Sequence, residues 1–342
     1  MRLILSLLVS MIFSQDYPVI GSAQSLDIMT WNVENYPKHN QTTSYMVDII
    51  NQINVDVIAF QEIESQNSFN NLINQLDGEW VGYRSNQNSN WGELSYAINL
   101  NEVNIGSVYN ILTEDEYFFA YRAPYVIEFS HQGVNYVAIN NHFKCCGDGD
   151  LDLNDSSDEE YRRLVSNQLL EEYINDNYGS SRVILLGDLN DSLTDDESDN
   201  VFWNFLNSEI FIFADYSIAN GASANWSFPG WPSHIDHILI SNELFSDFEN
   251  AQVATFKVDD YLSGGLNSYD NFISDHRPVY MRLNFSDQDV GDINSDGVLD
   301  ILDVIAIINL VLSAQYDEMA DVNYDGSLNV MDVVIVVNTI LN

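Results

Sequence analysis

Basic residues are scarce in this sequence. Lysine and arginine together number 11, against 52 aspartate and glutamate residues, and the formal net charge is -41. No basic cluster marks a nucleic-acid-binding surface, and a field of this sign keeps a protein soluble and repels other polyanions. Such a charge either reflects adaptation to salty surroundings or, in an enzyme that acts on anions, requires bound cations.

Cysteine is almost absent, because the only two, Cys145 and Cys146, are adjacent. Neighbouring residues cannot join distant elements as a secreted disulfide framework does, so the fold must be stabilised by packing. The pair predicts either a strained bond between the neighbours, which an oxidising compartment favours, or two free thiols. Metal binding by the pair is disfavoured, since no other cysteine is available.

Long hydrophobic runs are also missing. The run from Leu3 to Phe13 is too short to span a bilayer and follows one positive charge, which is typical of a signal peptide. Cleavage is predicted either near Ser14 or nearer Gln24, so we assign residues 1–23 to the signal peptide and leave the cleavage site open. No transmembrane segment is predicted in the mature protein, which we expect to be secreted.

What the chain does contain is enough apolar material for a packed core. Hydrophobic residues make up 46% and aromatic residues 12% of 342 residues, a length that favours two domains. Over residues 24–285, short apolar runs alternate with helical patterns, which predicts a mixed α/β domain. Strands are predicted at Leu26 to Val33, Val55 to Gln61, Tyr136 to Asn141, Val183 to Leu186, Ile235 to Ile240 and Pro278 to Phe285. Helices are predicted at Met46 to Ile53, Phe69 to Leu76 and Glu159 to Asn175.

Polar residues capable of chemistry lie at or just beyond the C-terminal ends of four of these strands. They are Asn32, Glu62, His142 and Asp188 with Asn190. If the strands run side by side, these groups converge on one rim of the sheets.

The segment from Gly147 to Glu160 is rich in aspartate and glycine. Such a composition predicts a surface loop. Its acidic side chains are either a solvated run, which composition favours, or a weak calcium site.

Residues 286–342 differ in composition, with 11 aspartate or glutamate residues and no lysine, arginine or histidine. Two copies of a calcium-loop pattern begin there at Asp292 and Asp321, each with glycine at the sixth position. Each loop precedes an apolar run, Val304 to Leu312 or Val333 to Leu341, that predicts a helix. We therefore predict a separate calcium-binding domain over this region.

A loop followed by a helix, without a clear helix before the loop, resembles a type I dockerin. That family ends the loop with aspartate, as this chain does at Asp303 and Asp332. The resemblance implies a small all-α domain that holds Ca2+ through Asp292, Asn294, Asp296, Asp300, Asp303, Asp321, Asn323, Asp325, Asn329 and Asp332. It also implies a cohesin-type protein partner; a calcium-stabilised tail used for surface retention or stability is the alternative.

Six polar motifs follow one another along the α/β region. They are Thr30-Trp-Asn32-Val-Glu34, Phe60-Gln-Glu62, Asn140-Asn141-His142-Phe-Lys144, Gly187-Asp188-Leu-Asn190-Asp191, Ile235-Asp236-His237 and Ser274-Asp275-His276-Arg-Pro278. Each alone is explained by strand-end hydrogen bonds or helix caps. In this order they resemble the endonuclease/exonuclease/phosphatase superfamily, the deoxyribonuclease I-like fold. The resemblance implies a four-layer α/β/β/α sandwich, with two face-to-face sheets, outer helices and an active site at one rim.

The resemblance also implies a divalent metal at that rim. Glu62 is the first expected ligand, with Asn32 beside it, and Glu34 and Asp275 are expected to hold a ligand, a metal-bound water or a second ion. Carboxylate and carboxamide oxygens suit Mg2+ or Mn2+, and also Ca2+, whereas the absence of a cysteine-histidine cluster argues against zinc.

The remaining motif residues have implied catalytic roles. His276 is expected to pair with Asp236 and to contact the phosphate or shuttle a proton. Asp188 is expected to orient or deprotonate the attacking water, Asn190 to hydrogen-bond the phosphate or that water, and His142 to act as an acid or phosphate donor. Which histidine is the acid and which the base stays open.

Three further residues near the motifs have less defined expectations. Arg122 resembles the arginine that contacts substrate phosphate in nuclease members, with a surface salt bridge as the alternative. His234 and His237 flank the aspartate motif and are expected to be rim or packing residues.

The motifs indicate that a phosphate-ester bond is hydrolysed, but they do not identify the substrate that contains it. We predict a secreted, divalent-metal-dependent nuclease acting on DNA or RNA, because export and Arg122 favour it, although the missing basic groove opposes tight DNA binding. A sphingomyelinase-like phospholipid hydrolase or a phosphatase is the alternative, and an exposed aromatic hairpin containing Trp226, Phe228 and Trp231 would support the former. A cohesin-binding scaffold component without catalysis is a third hypothesis, which the retained polar groups oppose.

Overall fold

The structure is a computed structural model, and it describes residues 15–22, 25–87, 92–284, 291–294, 298–313, 315–323 and 327–341. Most of the predicted signal peptide, residues 1–14, lies outside the described residues, and so do the predicted calcium ligands Asp296 and Asp325.

Within these ranges the chain forms twelve strands and nine α-helices. The strands are β1 Ser25–Tyr36, β2 Val57–Ile63, β3 Trp80–Arg84, β4 Glu93–Asn99, β5 Val103–Asn110, β6 Tyr125–His131, β7 Val134–His142, β8 Arg182–Asp188, β9 Phe211–Phe213, β10 Asp236–Ser241, β11 Gln252–Thr255 and β12 Val279–Asn284. The helices are α1 Thr42–Ile53, α2 Gln66–Ile73, α3 Glu159–Tyr178, α4 Trp203–Leu206, α5 Tyr216–Ala219, α6 Phe245–Phe248, α7 Gly265–Phe272, α8 Ile301–Ser313 and α9 Val330–Leu341. Short 3-10 turns cover Thr113–Asp115, Ser223–Asn225, Asn242–Leu244, Val258–Tyr261 and Glu318–Ala320.

The strands form two six-stranded sheets, ordered β11-β12-β1-β2-β4-β3 and β5-β6-β7-β8-β10-β9. β1 pairs with β2 in parallel, and so does β7 with β8, whereas the other neighbours are antiparallel. The carboxyl ends of each parallel pair therefore meet at one edge of their sheet. In the second sheet, Asp188 at the end of β8 lies opposite both His142 of β7 and Asp236, the first residue of β10.

Side-chain alternation builds the layers. Leu26 and Ile28 of β1 point into the core between the two sheets, whereas Met29 and Trp31 point to the opposite face, which the helices cover. Because β1 is covered on both faces, it is buried along almost its whole length. The outer core of the first sheet includes Met46, Ile49 and Ile50 of α1, and that of the second includes Leu170 and Ile174 of α3. The predicted four-layer α/β/β/α sandwich is confirmed.

Residues 15–22 pack against this sandwich rather than standing apart from it. Tyr17 and Ile20 are buried in the core beside α1, and the amide of Ile20 donates to the carbonyl of Ile53 over 2.8 Å. A mature chain that began near Gln24 would lack both core residues. A mature chain that began near Ser14 would keep both; the signal peptide and its cleavage site stay predictions.

The C-terminal region is a small helical unit. α8 and α9 share a core formed by Val304, Ile307, Ala320 and Val336. The predicted helices are present, and each begins one turn earlier than its apolar run suggested. No helix in the described ranges is long and apolar enough to cross a membrane.

Cys145 and Cys146 are exposed free thiols whose Sγ atoms lie 2.9 Å apart. Of the two states predicted from the sequence, the structure has the free thiols.

Candidate active site

The strand ends of the two sheets meet in one site. Asn32 of β1 bridges the sheets, because its Nδ2 donates to Asp188 Oδ2 of the second sheet over 2.8 Å and to Glu62 Oε1 of the first sheet over 3.2 Å. His142 Nε2 lies 3.4 Å from Asp188 Oδ2 and 3.9 Å from Glu62 Oε1. Asn32 and His142 therefore each lie close to both Glu62 and Asp188 at the rim.

Local backbone geometry supports this approach of the strand ends. Gly187 precedes Asp188 with φ 148°, and a Cβ there would lie 2.0 Å from the carbonyl oxygen of Asn141. Only glycine allows β7 and β8 to come this close. Glu62 and Asn190 have positive φ values of 63° and 56°, the kind of backbone strain that is concentrated at functional sites.

His276 joins the site through Asp236. Its Nδ1 lies 2.8 Å from Asp236 Oδ2, and its Nε2 lies 3.8 Å from Asp188 Oδ2. Burial alone would lower the pKa of His276, but the carboxylates of Asp236 and Asp188 outweigh burial and raise the pKa well above the usual range. The ring of Phe228 covers the imidazole with 4.7 Å between centroids. His276 is therefore a buried cation at neutral pH.

His142 has the opposite electrostatics. Burial lowers its pKa well below the usual range, and the positive charges of Arg122 and His276 lower it further. The two histidines of the site consequently differ in charge at neutral pH: His142 is neutral and His276 is charged.

Asp188 occupies the centre of the site. Its side chain contacts Asn32, His142 and His276, and its Oδ1 accepts a hydrogen bond from the backbone amide of Asn190 over 3.1 Å. Burial raises the pKa of Asp188 to about 7, although the charge of His276 opposes this rise. A carboxylate whose pKa lies near neutrality can accept and release a proton under physiological conditions.

The predicted metal ligands form an oxygen-rich part of the rim. Glu62 Oε2 accepts from the backbone amide of Asn35 over 2.9 Å, which leaves room for further ligation by the carboxylate. Asp275 Oδ1 is buried and has no hydrogen-bond partner among the described residues. A set of oxygen donors that includes one buried carboxylate oxygen without a hydrogen-bond partner fits Mg2+ or Mn2+.

Glu34 is held differently from the other predicted ligands. Its Oε2 accepts from the backbone amide of Asp275 over 3.0 Å and forms an ion pair with Lys38. Lys38 is not predictable as a site residue from the sequence, because a lysine four residues after Glu34 has no distinctive pattern. Glu34 thus orients the segment that carries Asp275, and its role as a ligand stays a prediction.

Arg122 is buried, so the surface salt bridge considered from the sequence is wrong. Its Nε and Nη2 donate to the carbonyl oxygens of His142 and Phe143 over 3.3 Å and 3.1 Å. Burial lowers the pKa of Arg122, whereas the charges of Glu62 and Asp188 oppose this shift. The guanidinium thus holds the backbone at the end of β7 in place. Substrate contact by Arg122 stays a prediction.

A buried polar cluster behind the site was not anticipated. Asp215 Oδ2 lies 2.7 Å from His237 Nδ1 and 3.0 Å from His234 Nε2, and His237 Nε2 donates to the carbonyl oxygen of Asp191 over 2.9 Å. His234 Nδ1 accepts from the backbone amide of Ser227 over 3.2 Å. The expectation that His234 and His237 lie at the rim is wrong, and the packing alternative describes them. Asp215 has no local sequence signal, because its partners are about 20 residues away in the chain.

A two-sheet sandwich with outer helices, whose rim carries carboxylates, carboxamides and two histidines, defines a hydrolase of phosphate esters. Residues 29–276 match the model of the Endonuclease/Exonuclease/phosphatase family, and the chain belongs to that family. Residues 290–341 match the Dockerin type I domain. Enzymes of the first family depend on divalent metals, and dockerin domains bind calcium.

Solved structures with the same fold come from several organisms. D. rerio TDP2 complexed with a single-strand DNA product has a TM-score of 0.58 and 14% identity, with 76% of this chain and 99% of that chain covered. The human Nocturnin catalytic domain with bound sulfate has a TM-score of 0.53 and 16% identity, with coverage of 77% and 94%. A Bacteroides thetaiotaomicron mannosyl-6-phosphatase has a TM-score of 0.51 and 14% identity, with coverage of 76% and 100%. A comparison with curated proteins found no match.

Proposed function

We propose that this chain is a secreted phosphodiester hydrolase that cuts nucleic acid with the help of Mg2+ or Mn2+. The observation that carries the proposal is the central position of Asp188, which contacts a neutral histidine, a charged histidine and the carboxamide of Asn32. These groups have the complementary protonation states that hydrolysis of a phosphate ester needs.

The ion would be held by Glu62, Asn32 and Asp275, and when bound it supplies charge that polarises a phosphate oxygen. Asp188 accepts a proton from the attacking water, since its pKa is about 7. Asn190 orients that water or the phosphate.

The histidines complete the reaction. His276 donates hydrogen bonds to the phosphate and stabilises the charge that grows on it, while Asp236 holds the imidazole through Nδ1. His142 is neutral and lies 3.4 Å from Asp188. It donates a proton to the leaving oxygen or a hydrogen bond to the phosphate.

The substrate class is supported by one structural neighbour and limited by charge. TDP2 from D. rerio was solved with a single-strand DNA product. In this chain, every lysine and arginine of the described ranges already contacts a carboxylate, a carbonyl or an aromatic ring. We therefore propose that few phosphates of a nucleic acid are bound at once.

A substrate panel tests the proposal. The purified full chain is incubated with plasmid DNA, RNA, sphingomyelin vesicles and a generic phosphodiester, with Mg2+ or with EDTA. Cleavage of DNA or RNA that EDTA abolishes is the expected result. Hydrolysis of sphingomyelin alone would support the alternative substrate, and no turnover of any substrate would support a scaffold without catalysis.

Two variants test the site itself. Glu62→Ala and His276→Ala should abolish turnover without unfolding the domain, because Glu62 is the first proposed metal ligand and is hydrogen-bonded to Asn32, and His276 lies 3.8 Å from Asp188. The matched control is Glu64→Ala, since Glu64 is exposed and lies only two residues from Glu62. Retained activity in either site variant would refute the proposed role of that residue.

A phospholipid substrate is the second candidate, because an aromatic hairpin lies beside His276. Phe228 and Ser233 pair across its base, Phe228 contacts the imidazole, and Trp231 at its tip is 80% exposed. Exposed tryptophan suits the interface of a lipid bilayer. Trp231→Ala should then lower hydrolysis of sphingomyelin vesicles and leave hydrolysis of a small phosphodiester unchanged.

For the C-terminal domain we propose calcium in both loops and a cohesin-type partner. The first and last loop aspartates, Asp292, Asp303, Asp321 and Asp332, are buried in a region with no lysine, arginine or histidine. Buried carboxylates without cationic side chains need bound metal. Calcium titration of the full chain should raise its helical circular dichroism, and the same titration of Asp303→Ala/Asp332→Ala should not.

A further inference from the structure

Three carboxylates meet where the loop after β7 folds back onto the start of α3. Asp148, Asp158 and Glu160 each place a carboxylate oxygen within 4.8 Å of the others. Negative charges at this spacing repel one another unless a cation or a proton offsets them.

The basic residues nearby offset only part of this charge. Arg163 Nη2 pairs with Glu160 Oε1 over 2.9 Å, but Nε of the same guanidinium pairs with Asp191 Oδ2 over 2.7 Å. Lys144 pairs with Glu159 instead, over 3.3 Å. One guanidinium thus faces Asp191 as well as the cluster, and negative charge remains in excess.

Glu160 supplies an independent indication of a ligand. The residue is only 2% exposed, and its Oε1 accepts from the backbone amide of Gly149 over 2.9 Å and from Arg163. Its Oε2 is also buried, yet it has no hydrogen-bond partner among the described residues. A buried charged oxygen without a hydrogen-bond partner destabilises the folded state, so a native protein normally provides it with one.

The loop geometry prevents this carboxylate from turning away. Gly147 has φ 104°, and a Cβ there would lie 2.1 Å from Glu160 Oε1. The backbone of the loop therefore covers Glu160 directly, and Asp148 follows in the chain. Asp158 is held from the other side, since its Oδ1 caps α3 by accepting from the amide of Tyr161 over 2.7 Å.

We propose that Asp148, Asp158 and Glu160 form a calcium site in the catalytic domain, separate from the dockerin loops and from the active-site metal. Ca2+ accepts six to eight oxygen ligands in irregular geometry, including carboxylates, backbone carbonyls and water. An exposed loop wrapped around one buried carboxylate can supply such a set. Mg2+ is disfavoured because it demands near-octahedral geometry from rigid ligands.

The site connects to the active site through Arg163. Its Nη1 donates to the carbonyl oxygens of Lys144 and Cys146 over 2.7 Å and 2.8 Å, just after His142 in the chain. Its Nε binds Asp191, next to Asn190. Calcium that holds Glu160 in place therefore also holds the two segments that follow the catalytic strands β7 and β8.

The test counts calcium ions bound by the full chain. In equilibrium dialysis with radioactive Ca2+, Asp148→Asn/Asp158→Asn should bind one ion fewer per chain than the unsubstituted protein. The matched control is Asp152→Asn/Asp155→Asn, which removes the same charge from exposed positions of the same loop and should bind the full number. An unchanged count in the first variant, or an equal loss in both, would overturn the proposal.

Two further variants distinguish loss of Ca2+ binding at this site from misfolding and from loss of binding by the dockerin loops. Asp148→Asn alone changes an exposed residue and should weaken the same binding event while circular dichroism stays unchanged. Asp303→Ala/Asp332→Ala should lose the ions of the C-terminal loops and keep one. A chain with this second change that binds no Ca2+ would show that the catalytic domain has no such site.

Discussion

Replacement of Asp236 is the most direct test of the catalytic contribution of His276. Its carboxylate lies 2.8 Å from Nδ1 and fixes the orientation of the imidazole. In Asp236→Asn the carboxamide no longer stabilises the charged imidazole and can hold the ring in the wrong tautomer. We therefore expect kcat on a phosphodiester to fall by about 10²–10⁴ with little change in KM, the range for loss of positioned acid-base catalysis. Steady-state kinetics measures both. Asp260→Asn, at an exposed position, is the control, and kcat near the control value would contradict the pairing.

Asp215 should stabilise the fold in a pH-dependent way. His237 outweighs burial and lowers the pKa of Asp215, and Asp215 in turn outweighs burial and raises the pKa of His237. The contribution of Asp215 is present above its unfolded pKa of about 4, and that of His237 is present below its unfolded pKa of about 6.5. Both are therefore complete between these values, and the histidine part declines as the pH rises further.

Asp215→Asn leaves His237 buried without its counter-charge. We expect the free energy of unfolding to fall by about 3–5 kcal/mol near pH 5, as for other broken buried ion pairs, and by less at pH 8. Urea denaturation at both pH values measures the difference. Asp176→Asn, exposed on α3, should change stability little at either pH; a loss for Asp215→Asn that grows with pH would be inconsistent with the assigned charges.

At the scale of elements, residues 15–22 behave as part of the catalytic domain. Ile20 is 5% exposed and packs in the core beside α1, whereas its neighbour Val19 is 69% exposed. Ile20→Ala should lower the free energy of unfolding by about 2–5 kcal/mol, because it leaves a cavity in the core. Val19→Ala is the matched control and should change it by less than about 0.5 kcal/mol. Equal effects in thermal or urea unfolding would mean that the segment does not pack as described.

The strands that the sequence predicted are those with apolar runs. β1, β2, β7, β8, β10 and β12 all lie inside their sheets and are almost wholly buried. The strands that it missed include all four at the sheet edges, β3, β5, β9 and β11, where partial exposure breaks the pattern. β4 was missed for another reason. It is fully buried but contains Glu93 and Ser95, polar residues that interrupt the apolar pattern. The carboxylate of Glu93 is tolerated there because its Oε2 accepts from the backbone amide of Gln87 over 3.1 Å.

For the whole molecule, the net charge of -41 predicts how activity responds to salt. Because the basic side chains of the described ranges are already engaged, few phosphates can be neutralised on binding, and few counterions are released. We expect the apparent affinity for DNA to change with salt with a log-log slope smaller than about 2 in magnitude, since each neutralised phosphate contributes about 0.9. Cleavage kinetics between about 50 and 200 mM NaCl measures the slope, with a basic nuclease as control. A steep slope would reveal a phosphate-binding surface that the charges do not indicate.

The order of the polar motifs, the calcium-loop repeat and the α/β alternation were determined by the sequence alone, because each is a local pattern. These were sufficient to predict the family and the sandwich. Rim residues were also predicted from the sequence, since His142 and Asp188 end their strands and Asn32 and Glu62 lie in the C-terminal parts of theirs. These residues come into contact because of the direction in which neighbouring strands run. The motif order alone does not give that direction; only the resemblance to the family implies it.

Only the tertiary structure decided which side chains are buried and what they contact there. Asp215 meets His237 across 22 residues, and Arg122 meets the carbonyl of His142 across 20. In Glu160, one carboxylate oxygen is satisfied and the other is not, a difference that composition cannot reveal in an acidic loop. Such facts depend on sheet register and on exclusion of water, and both arise only when distant segments pack together.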